Sequence, residues 1–212
     1  MTVLVLVGGG TAWAFGRALL PGGDKQAAAT SSPTPKPVPA SVLDCKESVQ
    51  AGDLAVAKAY QSYRDWYRHV KAQWDLDKGK ITLDKAYEIW DETHARGSSD
   101  MNAFDAQRIV YERQEGACGK VPDSVPDKYD SAVGSCQKRA KAISTTMEAG
   151  IQVGNDWMKH VLAERNKDNI PSYDYHRMWV KAVKKAPKAL GKFEGAHGKY
   201  KMAPECKLPK AE

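Results

Sequence analysis

From residue 46 to about 76 the apolar positions recur at helical spacing. Val49, Val56, Tyr60, Tyr63, Tyr67, Val70 and Trp74 step by 7, 4, 3, 4, 3 and 4 residues, which draws a heptad-like seam down one helix face. The residues 91 places further on are Ala140, Met147, Ile151, Gly154, Met158, Val161 and Arg165. All but the last are small or apolar, so a second long helix is predicted to present the same face. Asp77-Lys78-Gly79-Lys80 ends the first helix and Asn169-Ile170-Pro171 the second. Thr82 and Ser172 are predicted to cap the helices that follow, with Asp84 and Asp174 in their first turns, where the helix dipole favours an anion. These return helices run to about Arg96 and Ala186. Gly97-Ser98-Ser99 and Pro187 then predict an interruption in each. Helix resumes through Phe104 and Tyr111 in one case, through Phe193 and Tyr200 in the other. Gly119 to Pro126 connects the two halves, with Pro126 expected at the first position of a helix.

The two halves echo each other in detail. Asp65-Trp66-Tyr67-Arg68-His69-Val70-Lys71-Ala72 returns as Asp156-Trp157-Met158-Lys159-His160-Val161-Leu162-Ala163, both reading D-W-x-x-H-V-x-A. Each starts 20 residues after a cysteine, Cys45 or Cys136. Trp90, Phe104, Tyr111 and Cys118 are answered by Trp179, Phe193, Tyr200 and Cys206. An internal duplication accounts for this lattice. The expected fold class is all-α: an antiparallel four-helix-bundle-like domain made of two duplicated hairpins, each with an interrupted return helix. Repeat 1 spans 45–118 and repeat 2 spans 136–206, within a helical domain at 43–208 and before a short tail at 209–212. On antiparallel helices the four cysteines fall at one pole and Trp66, Trp90, Trp157, Trp179, His69 and His160 near the other.

Four cysteines at equivalent positions predict two disulfides and an oxidising compartment. Three pairings are open. Cys45–Cys118 with Cys136–Cys206 is favoured because each bond then closes its own repeat.

Residues 2–16 are apolar without a charge, and Arg17 interrupts the run before Leu20. Residues 1–20 therefore read as a signal peptide or an N-terminal membrane anchor. Residues 21–42 are rich in Pro, Ser and Thr and read as a disordered linker. The charge is uneven. Residues 45–118 carry 11 Lys and Arg against 13 Asp and Glu, whereas 136–210 carry 16 against 7. Lys181, Lys184, Lys185, Lys188 and Lys192 recur at helical spacing and form a candidate polyanion contact. Lysine without arginine suits diffuse attraction better than bidentate recognition. For a domain outside the membrane the expected partner is a cell-envelope polyanion or envelope protein, not nucleic acid, with the N-terminal segment meeting the membrane.

Asp65 with His69, and Asp156 with His160, stand four apart on one helix face. They are the candidate ligands of a transition metal, copper, iron or zinc, with carboxylates beside or behind the imidazoles. His69 lies beside the apolar seam and not on it, and ordinary packing of the two tryptophans, with each Asp holding its His or capping a helix end, is the favoured account of the motif. His94, His176 and His197 lack counterparts and are expected at the surface. No G-x-S-x-G, P-loop, H-E-x-x-H or EF-hand loop is present, which favours a non-catalytic domain without a cofactor over an enzyme. The leading expectation is an extracytoplasmic, membrane-tethered or secreted binding or structural domain of a bacterial cell envelope. A metal-binding bundle is the alternative. A hydrolase of envelope polymers comes third, since no carboxylate pair stands out for it.

Overall fold

The computed structural model describes residues 37–209. The expected leader at 1–20, most of the linker and all but the first residue of the tail at 209–212 lie outside the described residues. What is described is all-helical: α1 (Ala40–Asp77), α2 (Leu83–Glu112), α3 (Asp130–Arg165) and α4 (Ser172–Met202), with two 3₁₀ turns between α2 and α3 and one between α3 and α4. Among the described residues no helix is long and apolar enough to cross a membrane.

α1 starts six residues earlier than its seam suggests, inside the expected linker. Pro39 precedes it as the extended cap residue, with φ −56° and ψ 137°, and its carbonyl accepts from the Val42 and Leu43 amides. Val42 is worth including because it is buried with Val125, Tyr129 and Val133 in a small apolar cluster at the connection between α2 and α3. At its other end α1 stops in a Schellman arrangement. Gly79 takes φ +65°, its amide bonds to Leu76 O and the Lys80 amide to Asp75 O. Thr82 caps α2 as expected, accepting from the Lys85 amide. Ser172 does not cap α4. It is already helical, after Pro171, whose fixed φ serves the same start. Pro126 likewise precedes a 3₁₀ turn at Asp127–Tyr129 and not α3 itself.

Both return helices are continuous, which corrects the expected interruptions. Gly97 is buried against α3, where a Cβ would stand 2.8 Å from Trp157 Cζ2 and 2.9 Å from Val161 Cγ2. Its glycine serves close approach, not a turn. Pro187 sits inside α4 but on its exposed side, where water can supply the donor that the Val183 carbonyl loses.

The main packing contacts are α1 on α2, α1 on α3, and α3 on α4. α2 and α4 make no comparable backbone contact with each other, so a gap opens between them at one end. Small residues bring α1 and α3 together: Gly52 lies under Ile143, and Gly150 lies under Ala59. Positions 52, 55, 56, 59, 62, 63, 66, 69, 70 and 72 of α1 are buried, and so is the residue 91 places on in every case. Tyr60 and Tyr67, expected on the seam, are half-exposed. The buried face is broader than the seam and includes Trp66 and His69. Disulfides join Cys45 to Cys118 and Cys136 to Cys206, the pairing in which each closes its own half. Gln137 donates to the Cys118 carbonyl, which ties the two bridges to the same end. Nearby, Arg139 donates to both oxygens of Asp53 at 2.9 and 3.0 Å and to the Tyr200 hydroxyl. That joins α1, α3 and α4.

Candidate functional site: an aromatic cavity floored by two histidines

At the end away from the sulfurs the rings converge. Trp66 and Trp157 stack with centroids 5.2 Å apart, and both are fully buried. Each motif histidine lies one turn further on, so both imidazoles enter the same ring cluster. His69 Nε2 and His160 Nε2 are 2.9 Å apart. The histidines are 4% and 7% exposed. His69 thus belongs to the core and not to its margin.

Hydrogen bonding fixes the tautomers. The Thr93 hydroxyl donates to the Ile89 carbonyl at 2.7 Å, so its oxygen accepts from His69 Nδ1–H at 2.7 Å. Burial, followed by the neighbouring His160 and His94, pushes the His69 pKa down to about 2. The ring is therefore neutral, its Nε2 is bare, and His160 Nε2–H donates to it. His160 is also neutral, pushed down to about 4 mainly by burial. The result is a directed chain from His160 through His69 to Thr93 and the backbone. Trp90 Nε1 donates to the His69 carbonyl at 3.0 Å, and Trp179 Nε1 to Gln73 Oε1 at 2.8 Å. The indole N–H groups of Trp66 and Trp157 have no acceptor.

The two histidines floor a cavity of about 640 Å³ between α2 and α4. Trp90, Trp179, Tyr87, Leu83, Val180 and Val183 supply its apolar walls. His94, His176, Gln73, Asp91, Glu164, Lys167 and Tyr175 supply polar groups. Burial works against ionisation of Glu164, but the Tyr175 hydroxyl and Lys167 outweigh it and hold the carboxyl below its ordinary range. Glu164 is therefore an anion at neutral pH. His94 Nε2 is buried without a partner. His94 and His176 were expected on the surface. They line this cavity, the first half-buried and the second exposed at its rim. His197 is half-buried too, stacked on Tyr60 at 4.4 Å. Only its place on the face of α2 opposite α4, invisible without tertiary packing, marks His94 as a site residue.

The carboxylates of the motif go elsewhere. Asp65 accepts from Arg96 Nη2 at 2.9 Å and is not hydrogen-bonded to His69. Asp156 is half-buried and lines a shallower groove of about 270 Å³ with Lys159, Met178, Lys181 and Lys185. Among the described residues no group of three or more His, Cys, Asp or Glu side chains is arranged to hold a metal ion. Lys181, Lys184, Lys185, Lys188 and Lys192 are all exposed on α4.

The chain matches no protein-family model, no curated protein and no solved structure.

Proposed function

We propose that this chain is a non-catalytic binding domain of the bacterial cell envelope, exported or membrane-tethered, whose ligand occupies the aromatic cavity between α2 and α4. The observation that carries this reading is the cavity itself. Its volume suits a small molecule, its walls are mainly aromatic and aliphatic, and a few polar groups converge on it, as small-molecule sites require. Rings of Trp90, Trp179 and Tyr87 favour a flat aromatic or heteroaromatic ligand, which stacks on them at low entropic cost. Two disulfides fit an oxidising compartment, and the apolar leader and Pro-rich tether read from the sequence fit export. The lysine face of α4 is the surface for an envelope polyanion.

The architecture in this reading is a four-helix bundle that arose by duplication of one hairpin. The matched burial of α1 and α3 at an offset of 91 residues supports it, as does the pairing of each cysteine within its own half.

A thermal-shift screen of planar aromatic fragments tests the site. Fragments are expected to raise the melting temperature of the native chain and not of Val180→Trp, which fills the cavity from α4. Equal protection of both proteins, or of neither, would show that the cavity is not where ligands bind.

A further inference from the structure

We infer that His69 Nε2 and His160 Nε2 together bind one divalent d-block cation, of the zinc and copper class, at the floor of the cavity, with its remaining positions open to a cavity ligand. Geometry argues first. Two nitrogens each 2.0–2.1 Å from a tetrahedral ion stand about 3.3 Å apart. The observed separation is 2.9 Å, so the nitrogens need to part by about 0.4 Å, with each ring tilting so that its Nε2 lone pair points at the ion and not at the other nitrogen. They come from two different long helices, α1 and α3, each locked by packing, and imidazole pairs suit zinc, copper, iron and nickel.

The surrounding hydrogen bonds argue second. A ligating histidine commonly donates its other N–H to an oxygen that fixes tautomer and ring orientation. Thr93 does this for His69, and the Thr93 hydroxyl is itself fixed by the Ile89 carbonyl. His69 thus presents a bare Nε2 without any rearrangement. For His160 to do the same, its ring proton moves from Nε2 to Nδ1. The ring stays neutral and no proton is released to solvent.

Among the described residues no third His, Cys, Asp or Glu joins the pair in a group arranged to hold a metal ion, and this defines the kind of site. A cation on two imidazoles keeps two positions for water or a ligand, and these face the cavity where His94 Nε2 stands unpartnered. The inference rests on the cavity being a binding site and adds the group that anchors its occupant. It differs from the site expected from the sequence in using neither Asp65 nor Asp156.

The test titrates Zn(II) into untagged, disulfide-intact chain by calorimetry, and Co(II) by visible absorption. One ion per chain is expected, with a Co(II) band of four-coordinate intensity. Affinity is expected to fall by about 100-fold or more in His160→Gln, whose amide still donates to His69. Thr93→Val is expected to cost about 10- to 100-fold. Asp65→Asn and Asp156→Asn are expected to bind as the native chain does. A readout that needs no variant is imidazole ¹⁵N NMR of the native protein, where Zn(II) should move the His160 proton to Nδ1. Absence of a one-to-one complex, unshifted His69 and His160 signals, or unchanged affinity in a folded His160→Gln would overturn the inference. Fragment protection that persists in metal-free protein would then leave the cavity reading standing alone.

Discussion

Asp65 and Asp100 are 5% and 6% exposed, and two carboxyls so placed do not both ionise freely. Burial favours the neutral form of each. At Asp65 the hydrogen bonds from Arg96 and from Asp100 outweigh burial and hold its pKa below the ordinary value. Asp100 takes the opposite course, pushed up to about 6 by burial and then by its acidic neighbour. Its Oδ1 accepts from Gln61 at 2.8 Å and its Oδ2 is otherwise unpartnered, which leaves Oδ2 to carry the shared proton. Between pH 3.8 and about 6 the native chain holds a proton that the unfolded chain has released, so this group's contribution to stability falls as pH rises through that window. Asp100→Asn keeps a donor toward Asp65 and an acceptor for Gln61 without the charge. It is expected to be more stable than the native chain at pH 7.5 by on the order of 1–2 kcal/mol, with the advantage gone near pH 4. Urea melts at the two pH values check this; equal stability at both would mean that Asp100 ionises without penalty. The sequence pointed to Asp65 through its spacing from His69. Its actual partner, Arg96, lies 31 residues away, and helical periodicity carries no information about such a contact.

At the scale of elements, the helices and their order were legible because periodicity, caps and the 91-residue echo all agree. The failures came from glycine and proline read as local punctuation. Gly97 followed by two serines has turn-like composition, yet its missing Cβ is what lets α2 lie against Trp157 and Val161, both fully buried. Gly154 has a different neighbour, since an added Cβ would meet Met101 Cε at 2.8 Å. That is the free end of a flexible side chain. In either helix Ala improves on Gly by about 1 kcal/mol of intrinsic propensity, and overpacking a rigid neighbour costs roughly 1–3 kcal/mol. Gly97→Ala is therefore expected to lower stability by up to about 2 kcal/mol, whereas Gly154→Ala stays within about 0.5 kcal/mol of native or exceeds it. Denaturant midpoints of the two variants decide the matter, and a reversed order would mean that α2 is not pinned at Trp157. The cavity was beyond sequence reasoning for a related cause. It exists because α2 and α4 part at one end, and no single segment encodes that gap.

For the molecule as a whole, the uneven charge places the lysine face on α4, and long-range attraction from exposed lysines is screened within about 10 Å at 0.1 M salt. Retention on an anionic cell-wall polymer is expected to drop steeply as salt rises, and further in Lys184→Gln/Lys188→Gln; salt-insensitive retention would point to another surface. The disulfides bear on a larger question, whether the halves are equivalent units. Cys45–Cys118 and Cys136–Cys206 close segments of nearly equal length, 73 and 70 residues apart in sequence. Loop-closure entropy then assigns each about 4 kcal/mol. The closures are sequential and not nested, so neither shortens the unfolded loop that the other restrains. Three of the four cysteines are buried and Cys206 is half-buried, which makes Ala the gentlest replacement. Cys45→Ala/Cys118→Ala and Cys136→Ala/Cys206→Ala are thus expected to lose similar stability, each up to about 4 kcal/mol, with near-additive losses when combined. Guanidinium unfolding of the three variants beside the native chain measures both. A second-half variant far weaker than the first would break the equivalence, and would locate the cooperative core in α1, α2 and their contacts with α3, with α4 held mainly by its covalent tie.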